Sequence, residues 1–314
     1  MGDPEPPVPK PGQVLIKVAA TTVNRPDILQ RQGHYPPPPG ESPLLGLEAA
    51  GTVAELGPGV EHLAVGERVV ALLGGGGYAE LAVAHAGHVM KIPAALSFEA
   101  AACIPETYIT AYMNLFLNAG LADGETALLH GGGGGVTTAA MQLCKVLTPR
   151  ARVIVTASTA KVARVAALGA DFVIDYTQRD FAEAVLEYTE NRGVDVILDH
   201  IGGPYLVPNL KALAIGGRLA VIAVMGGRHA ELDLGRVLVQ RLTIIGSVLR
   251  PRPVAEKTAL IADFARVVMP HFASGAIAPI IHRVYPIEEV AEAHRTMEAS
   301  QSFGKLVLSL GAQS

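Results

Sequence analysis

Ala122-Asp-Gly-Glu-Thr-Ala-Leu-Leu-His-Gly-Gly-Gly-Gly-Gly-Val-Thr-Thr-Ala-Ala-Met-Gln-Leu-Cys-Lys145 is the stretch on which the reading of this 314-residue chain turns. An apolar run, Thr126 to Leu129, stops at five glycines, Gly131 to Gly135. Apolar residues then recur at helical spacing, at Val136, Ala139, Ala140, Leu143 and Val146. Strand, glycine turn, helix is the order a dinucleotide site needs. Glycines allow a tight turn and let backbone approach a pyrophosphate, and the helix N-terminus adds unpaired N–H groups and a positive dipole end. One position departs from the fingerprint. In the frame Gly131-x-x-Gly134-x-x, the third glycine is replaced by Thr137, where close packing of helix on strand favours no side chain. A glycine-rich run alone also describes a linker, so its surroundings decide.

Downstream, apolar strands at 152–157, 172–174, 194–198, 218–224 and 242–248 alternate with helical segments at 160–168, 181–188, 205–214 and 234–239. Near-continuous β-branched runs mark strands buried on both faces, as in a parallel sheet covered by helices. With 126–129 these make six strands, a doubly wound α/β sheet whose ligand crevice lies at the carboxyl ends of its strands. In that setting the glycine run reads as a dinucleotide loop, with Gly131, Gly132, Gly134, Gly135 and Val136 against the pyrophosphate. His130, which ends the first strand, is either a contact there or a structural histidine.

The NAD-type pattern places an acidic residue about 20 positions past the glycines, on the ribose hydroxyls. Here the second strand ends Val155-Thr-Ala-Ser-Thr-Ala-Lys161, without Asp or Glu. Ser158, Thr159 and Lys161 are donors suited to a 2′-phosphate, so NADPH is the expected cofactor. Asp175-Tyr176, at the third strand end, borders the adenosine half, Tyr176 either packing on adenine or capping an edge. Asp199-His200 and Val224-Met225, at later strand ends rich in glycine, are placed on the nicotinamide side.

The flanks read differently. A strand at 13–19, a turn at Asn24-Arg-Pro-Asp27, a short helix at 28–32 and short strands at 44–53, 67–72 and 78–83 suggest a small, mostly antiparallel β domain. Gly33-His34-Tyr35 and four prolines, Pro36 to Pro39, make a stiff extended loop. Helical segments at 93–103 and 105–117 lead into the glycine unit. After Pro251 to Pro253 come a helix at 256–269, a strand at 280–285, a helix at 286–297 and a strand at 304–310. These are expected to complete the first β domain. The expected division is therefore 1–106 with 251–314, discontinuous, around a dinucleotide domain at 107–250, with the cofactor cleft between them.

Half the residues are apolar and 17% are charged, which excludes a disordered chain. The formal net charge is −4 and basic residues are scattered, so nucleic acid is not an expected partner. No apolar run approaches the ~20 residues of a membrane span. Met1-Gly-Asp-Pro-Glu-Pro-Pro lacks the features of a signal peptide, and the two cysteines, Cys103 and Cys144, fit a reducing compartment; a cytoplasmic address is expected.

Six matches in chain order carry a resemblance: Val23-Asn-Arg-Pro-Asp-Ile-Leu-Gln-Arg-Gln-Gly-His-Tyr-Pro36, Gly46-Leu-Glu-Ala-Ala-Gly51, the His130 to Lys145 loop, Leu168-Gly-Ala170, Val284-Tyr-Pro286 with Glu292-Ala-His294, and Phe303-Gly-Lys305. The chain resembles the medium-chain dehydrogenase/reductase superfamily, in its quinone oxidoreductase (zeta-crystallin-like) branch. The resemblance implies a Rossmann domain plus a GroES-like β domain, NADPH, a small-molecule quinone as substrate, and a homodimer in which the last sheet strand often pairs across the subunits. It also implies cofactor contacts at Thr110, Leu249 and Lys305. Thr107 and Thr110 start the helix into the cofactor domain, with capping as the rival reading. Two departures stand out. The family usually begins with an additional strand, about fifteen residues, before the point matching Glu5-Pro6; here it is missing or replaced, which is expected to expose a sheet edge or weaken the β domain. Thr137 either crowds the helix against the sheet or donates to a phosphate; the residues leave both open.

Zinc enzymes of the superfamily need a cysteine and a histidine as catalytic ligands, and zinc takes about four N, S or O ligands. Here Gly46-Leu47-Glu48 has leucine where that histidine stands, and no cysteine precedes Cys103. A zinc-free branch follows, with no metal and no flavin expected. Without a Lewis acid an already electrophilic acceptor, a quinone or an activated alkene, suits direct hydride transfer from NADPH by positioning. Asn24, Asp27 and Tyr35 are the substrate-side candidates. Asn24 is suited to hold the nicotinamide or an oxyanion, and Tyr35 to pack on an aromatic substrate or relay a proton. Against these stand helix capping for Asn24 and Asp27 and a surface ring for Tyr35. Arg250 and Arg252 either reach the pocket from the domain junction or form a solvated basic turn, the favoured reading. Three functions are compatible: an NADPH:quinone oxidoreductase, a zinc-free reductase of α,β-unsaturated carbonyls, and a non-catalytic NADPH-binding, crystallin-like protein.

Overall fold

The computed structural model describes residues 6–311, so the expectation attached to the start of the chain, before Glu5-Pro6, lies outside the described residues. The chain forms two compact units, one reaching to Ile109 and resuming at Leu249, the other Thr110–Val248.

In the first unit β1 (Gln13–Val23), α1 (Arg25–Arg31), β2 (Glu48–Leu56), β3 (Arg68–Leu72), β4 (Leu81–His85) and β5 (Val89–Lys91) are followed by α2 (Phe98–Ala102) and the start of α3 (Pro105–Tyr112). Strand β5 was not expected from sequence; three residues are too short to show alternation. Long β1 organises this sheet. Its first half pairs with β4, its second half with β13 (Lys305–Ser309), and β2 covers the other side, all antiparallel. β12 (Ile281–Pro286) adds parallel to β13 at the edge. The order among the described residues is β12-β13-β1-β2-β3-β5, with β4 also on β1. Val14, Ile16, Val53, Val69 and Ala82 point into one buried cluster, as alternation along half-buried strands requires.

The second unit begins within α3, whose helix continues as a π-helical turn, Met113–Asn118, in place of the uninterrupted helix expected to 117. Then come β6 (Thr126–Leu129), α4 (Gly135–Leu147), β7 (Arg152–Ala157), β8 (Phe172–Asp175), β9 (Val194–Asp199), β10 (Leu213–Val221) and β11 (Thr243–Gly246). All are parallel, in the order β11-β10-β9-β6-β7-β8. Counted from β6, that is 3-2-1-4-5-6 read from the other edge, the doubly wound Rossmann arrangement with its switch point between β6 and β9. Leu128, Ile154, Ile197 and Leu219 pack with Phe181, Val185 and Leu210 on one side of the sheet. One strand differs from expectation. β10 starts at Leu213, slips register before Arg218 across Gly216 (φ +77°) and Gly217, and ends at Val221. Val224 and Met225 therefore lie beyond the strand. There the backbone turns to pair with the loop after β9: Met225 N–H donates to His200 O (3.1 Å) and Gly226 N–H to Ile201 O (2.7 Å).

Candidate functional site

In the second unit the glycine run leaves β6 at the switch point, as a dinucleotide site requires. Gly131 is left-handed (φ +67°), and a Cβ built there would lie 2.4 Å from His200 Nε2. Gly132 is closed in by Val155, Ala157 and Val165 side chains at 2.8–3.1 Å. Gly134 is the N-cap of α4 and supplies no side-chain acceptor to the first helical turn. Gly134 is exposed, and Gly135 and Val136 are half-buried. Loop and helix end thus fit a pyrophosphate on backbone geometry. Thr137 resolves its two sequence readings: it is 1% exposed and its hydroxyl donates to His130 O at 2.6 Å, so it fastens helix to strand and does not face the loop opening.

His130 also turns inward. Its ring is fully buried, with Nδ1 3.0 Å from Thr156 Oγ1 and Nε2 2.7 Å from Asn209 Oδ1, and burial pushes it down to about 3. These contacts match the structural-histidine alternative of the two sequence readings. At the end of β7, Ser158 is half-buried at the head of a 3₁₀ turn, and Thr159 Oγ1 shares a hydrogen bond with Thr177 Oγ1 (2.9 Å). Asp175, opposite Ala157, accepts from Thr177 N–H (3.0 Å) and Oγ1 (2.7 Å); Thr159 and Thr177 hold its carboxyl below the usual range. Lys161 is half-buried, its ammonium lowered by burial and then by Arg164. Tyr176, Val224 and Met225 are 43–50% exposed, and Thr110 is half-buried, its carbonyl accepting from Asn114 Nδ2. Thr107, in the first unit, spends its hydroxyl on Cys103 O (2.8 Å) and caps nothing.

The first unit brings Asn24 and Lys305, assigned from sequence to substrate and cofactor respectively, into one buried cluster around Glu48. Lys305 Nζ lies 3.0 Å from Glu48 Oε1, and Asn24 Nδ2 donates to the same oxygen at 2.9 Å. Thr22 Oγ1 donates there too, and Glu106 N–H binds Oε2 at 2.7 Å. Lys305 is 4% and Asn24 5% exposed, and Lys305 Nζ also donates to Asn24 Oδ1. Asp27 is fully buried. Its carboxylate accepts from Asn24 N–H (2.7 Å), Gly46 N–H (3.0 Å) and Tyr78 O–H (3.3 Å), and desolvation raises it to about 6. Its bond to the Asn24 N–H is the capping interaction that the sequence offered as an alternative. Behind Tyr78 stands His294 (3.2 Å), which in turn meets Arg31 (3.0 Å).

Tyr35 is half-buried with the Arg250 guanidinium 5.2 Å from its ring centre, and burial, then Glu106, push its phenol up to about 12. Arg250 is 4% exposed. It donates to Gly74 O (2.6 and 2.8 Å), Gln30 Oε1 (2.7 Å) and Tyr35 O (3.3 Å), so it straps the Tyr35 loop and is no solvated turn. Leu249 is 4% exposed and belongs to the same unit. Glu48, Tyr78, Thr156 and Asn209 had no role assigned from the sequence. Glu48 and Thr156 lie in motifs read for other residues, and all four are joined to their partners by contacts that spacing does not reveal.

Among the described residues no group of three or more His, Cys, Asp or Glu is placed to hold a metal ion, and no helix is long and apolar enough to cross a membrane. Both cysteines are buried; burial raises Cys103 and pushes Cys144 up to about 12.

Residues 10–94 match the family described as alcohol dehydrogenase GroES-like domain, and 168–308 the family described as zinc-binding dehydrogenase. The synaptic vesicle membrane protein VAT-1 homolog of Rattus norvegicus is 30% identical over 98% of this chain and 79% of its own length. A structure of an NAD-dependent alcohol dehydrogenase superposes with TM-score 0.87 at 33% identity, over 99% of this chain and 95% of that one. Mycobacterial Rv1454c complexed with NADPH gives 0.84 at 32%, covering 98% and 94%. JamJ enoyl reductase gives 0.87 at 26%, covering 98% and 94%. The chain belongs to the medium-chain dehydrogenase/reductase superfamily. It spans 65% of the VAT-1 homolog of Danio rerio and 5–14% of the polyketide synthases it matches.

Proposed function

We propose that this chain is a zinc-independent NADPH:quinone oxidoreductase of the zeta-crystallin-like branch, working by direct hydride transfer. One observation carries the reading: a glycine loop at the switch point, beside a β7 end that presents Ser158, Thr159 and Lys161 and no carboxylate of its own. The Asp175 carboxylate, one strand over, is engaged by threonine hydroxyls. When bound, NADPH supplies the hydride. The chain's part is to seat the pyrophosphate on the loop backbone, to meet the 2′-phosphate with hydroxyls and a cation, and to present Tyr35, fixed by Arg250, to an aromatic acceptor. A quinone needs no alkoxide stabilisation, which accords with Leu47 in place of a zinc-ligand histidine.

The likeness to an enoyl reductase favours a second reading, reduction of α,β-unsaturated carbonyls with the same cofactor. For assembly we infer a homodimer through the β11 edge. Ile244 on that strand and Leu234, Leu238 and Val239 on the preceding helix are 39–79% exposed, an apolar surface of the kind a second copy covers.

The test is NADPH oxidation with a small ortho-quinone and with an enone, run beside an NADPH titration. Turnover of the quinone alone supports the first reading and turnover of the enone alone the second. Binding without turnover makes the protein non-catalytic. Absence of binding removes the cofactor assignment.

A further inference from the structure

We propose that Thr156 is a positioning residue for the dinucleotide loop, its hydroxyl oriented by a buried hydrogen-bond chain through His130 and Asn209 to Asp199. The inference rests on the dinucleotide reading above and says which residues outside the loop set its shape.

Thr156 touches two successive loop amides. Gly131 N–H donates to its Oγ1 (3.3 Å) and Gly132 N–H to its carbonyl (2.7 Å), so one β7 residue latches the loop where it leaves β6. The direction of the chain behind it follows from donor chemistry. Asp199 accepts backbone N–H bonds from Ile201 (2.6 Å) and Gly202 (3.2 and 3.3 Å), so it faces Asn209 as an acceptor. Asn209 therefore presents Nδ2 to Asp199 (3.1 Å) and turns Oδ1 to His130 Nε2 (2.7 Å), which must carry the ring proton. The neutral ring leaves Nδ1 as the acceptor for the Thr156 hydroxyl proton (3.0 Å). With its proton committed, that hydroxyl offers a lone pair to Gly131.

His130 and Asn209 are fully buried, and Thr156 and Asp199 are 1% exposed, so no solvent competes for these bonds. Burial holds His130 neutral down to about 3, with Asn209 opposing and the His200 ring adding to the shift. A reversed Asn209 amide would set two acceptors face to face at Asp199, and it would demand the other tautomer of His130.

Thr156→Val keeps the side-chain shape and removes the hydroxyl, while Thr156→Ser keeps the hydroxyl. We expect the NADPH Kd, by fluorescence titration of the full chain, to rise about tenfold in Thr156→Val and to stay within about twofold in Thr156→Ser. Nitrogen-15 spectra of the His130 ring are expected to show the neutral Nε2–H tautomer in the wild type, and to lose it in Asn209→Leu. Wild-type NADPH affinity in Thr156→Val, with or without a lower Tm, would overturn the proposal and leave the chain as packing only. An Nδ1–H ring in the wild type overturns the orientation. A wild type that binds no NADPH fails the dinucleotide reading itself, and the ring spectra still report separately whether the chain exists.

Discussion

Lys305 Nζ lies 2.6 Å from Asn24 Oδ1, closing a contact between residues 281 positions apart in the chain. The antiparallel register Val23↔Leu306 of β1 and β13 produces it, and the same ammonium pairs with Glu48, whose side chain has no exposure. Removing one partner of a buried pair leaves the other charge uncompensated, typically about 3–5 kcal/mol. Lys305→Met is therefore expected to lower the stability of the first unit by that amount in urea unfolding, with Lys305→Met/Glu48→Gln recovering part of it. A single variant within about 1 kcal/mol of wild type would contradict the pairing.

Gly131→Ala meets two obstacles, a left-handed backbone and the His200 ring at 2.4 Å. The backbone term alone is roughly 1–2 kcal/mol. NADPH affinity is expected to fall about tenfold or more, and Gly131→Ala/His200→Ala to recover only the steric share. Undiminished affinity in Gly131→Ala would place the cofactor elsewhere.

Ser158→Asp puts a carboxylate at the end of β7. Like-charge repulsion is expected to weaken NADPH binding at least about tenfold relative to NADH. The ratio of the two dissociation constants is the readout, and an unchanged ratio refutes a 2′-phosphate at this position.

Asp27 is raised to about 6 by burial from its ordinary 3.8. Between about pH 4 and 6 the folded chain holds a proton that the unfolded chain releases, so this contribution to stability is present at low pH and is lost as pH rises through 6. The span of about two units corresponds to roughly 3 kcal/mol. Asp27→Asn removes the term, so the wild-type minus variant stability measured by guanidinium unfolding is expected to decline from pH 4 to 6. A difference that rises with pH would reverse the assignment. Glu106, raised to about 8 by burial and then by Glu48, has the same sign and carries the decline to higher pH in the wild type.

Leu238, 79% exposed on the helix before β11, is expected to govern association. Leu238→Glu should turn the dimer proposed above into a monomer in sedimentation, with the far-ultraviolet spectrum unchanged. An unaltered mass would remove this face as the interface.

Much of the second unit is legible in the sequence. A strand buried on both faces writes a continuous apolar run, so β6, β7 and the helix Phe181–Tyr188 appear at the expected residues. β10 was misplaced because its entrance carries Gly216 and Gly217, which break an apolar run without ending the strand. Site chemistry was less legible. Asn24, Asp27, His130 and Lys305 are polar residues in family motifs, and a motif does not say whether a polar group faces solvent or partners another inside.

The order of apolar runs and glycines, by itself, determined that this chain makes a doubly wound sheet whose sequence lies between two segments of a β unit, because side-chain periodicity and glycine breaks are written locally along the chain. Which polar side chains remain available was decided only in three dimensions. Strand register carries Lys305 to Asn24 and Asn209 to His130, and at those distances a buried donor must be spent on the acceptor it meets.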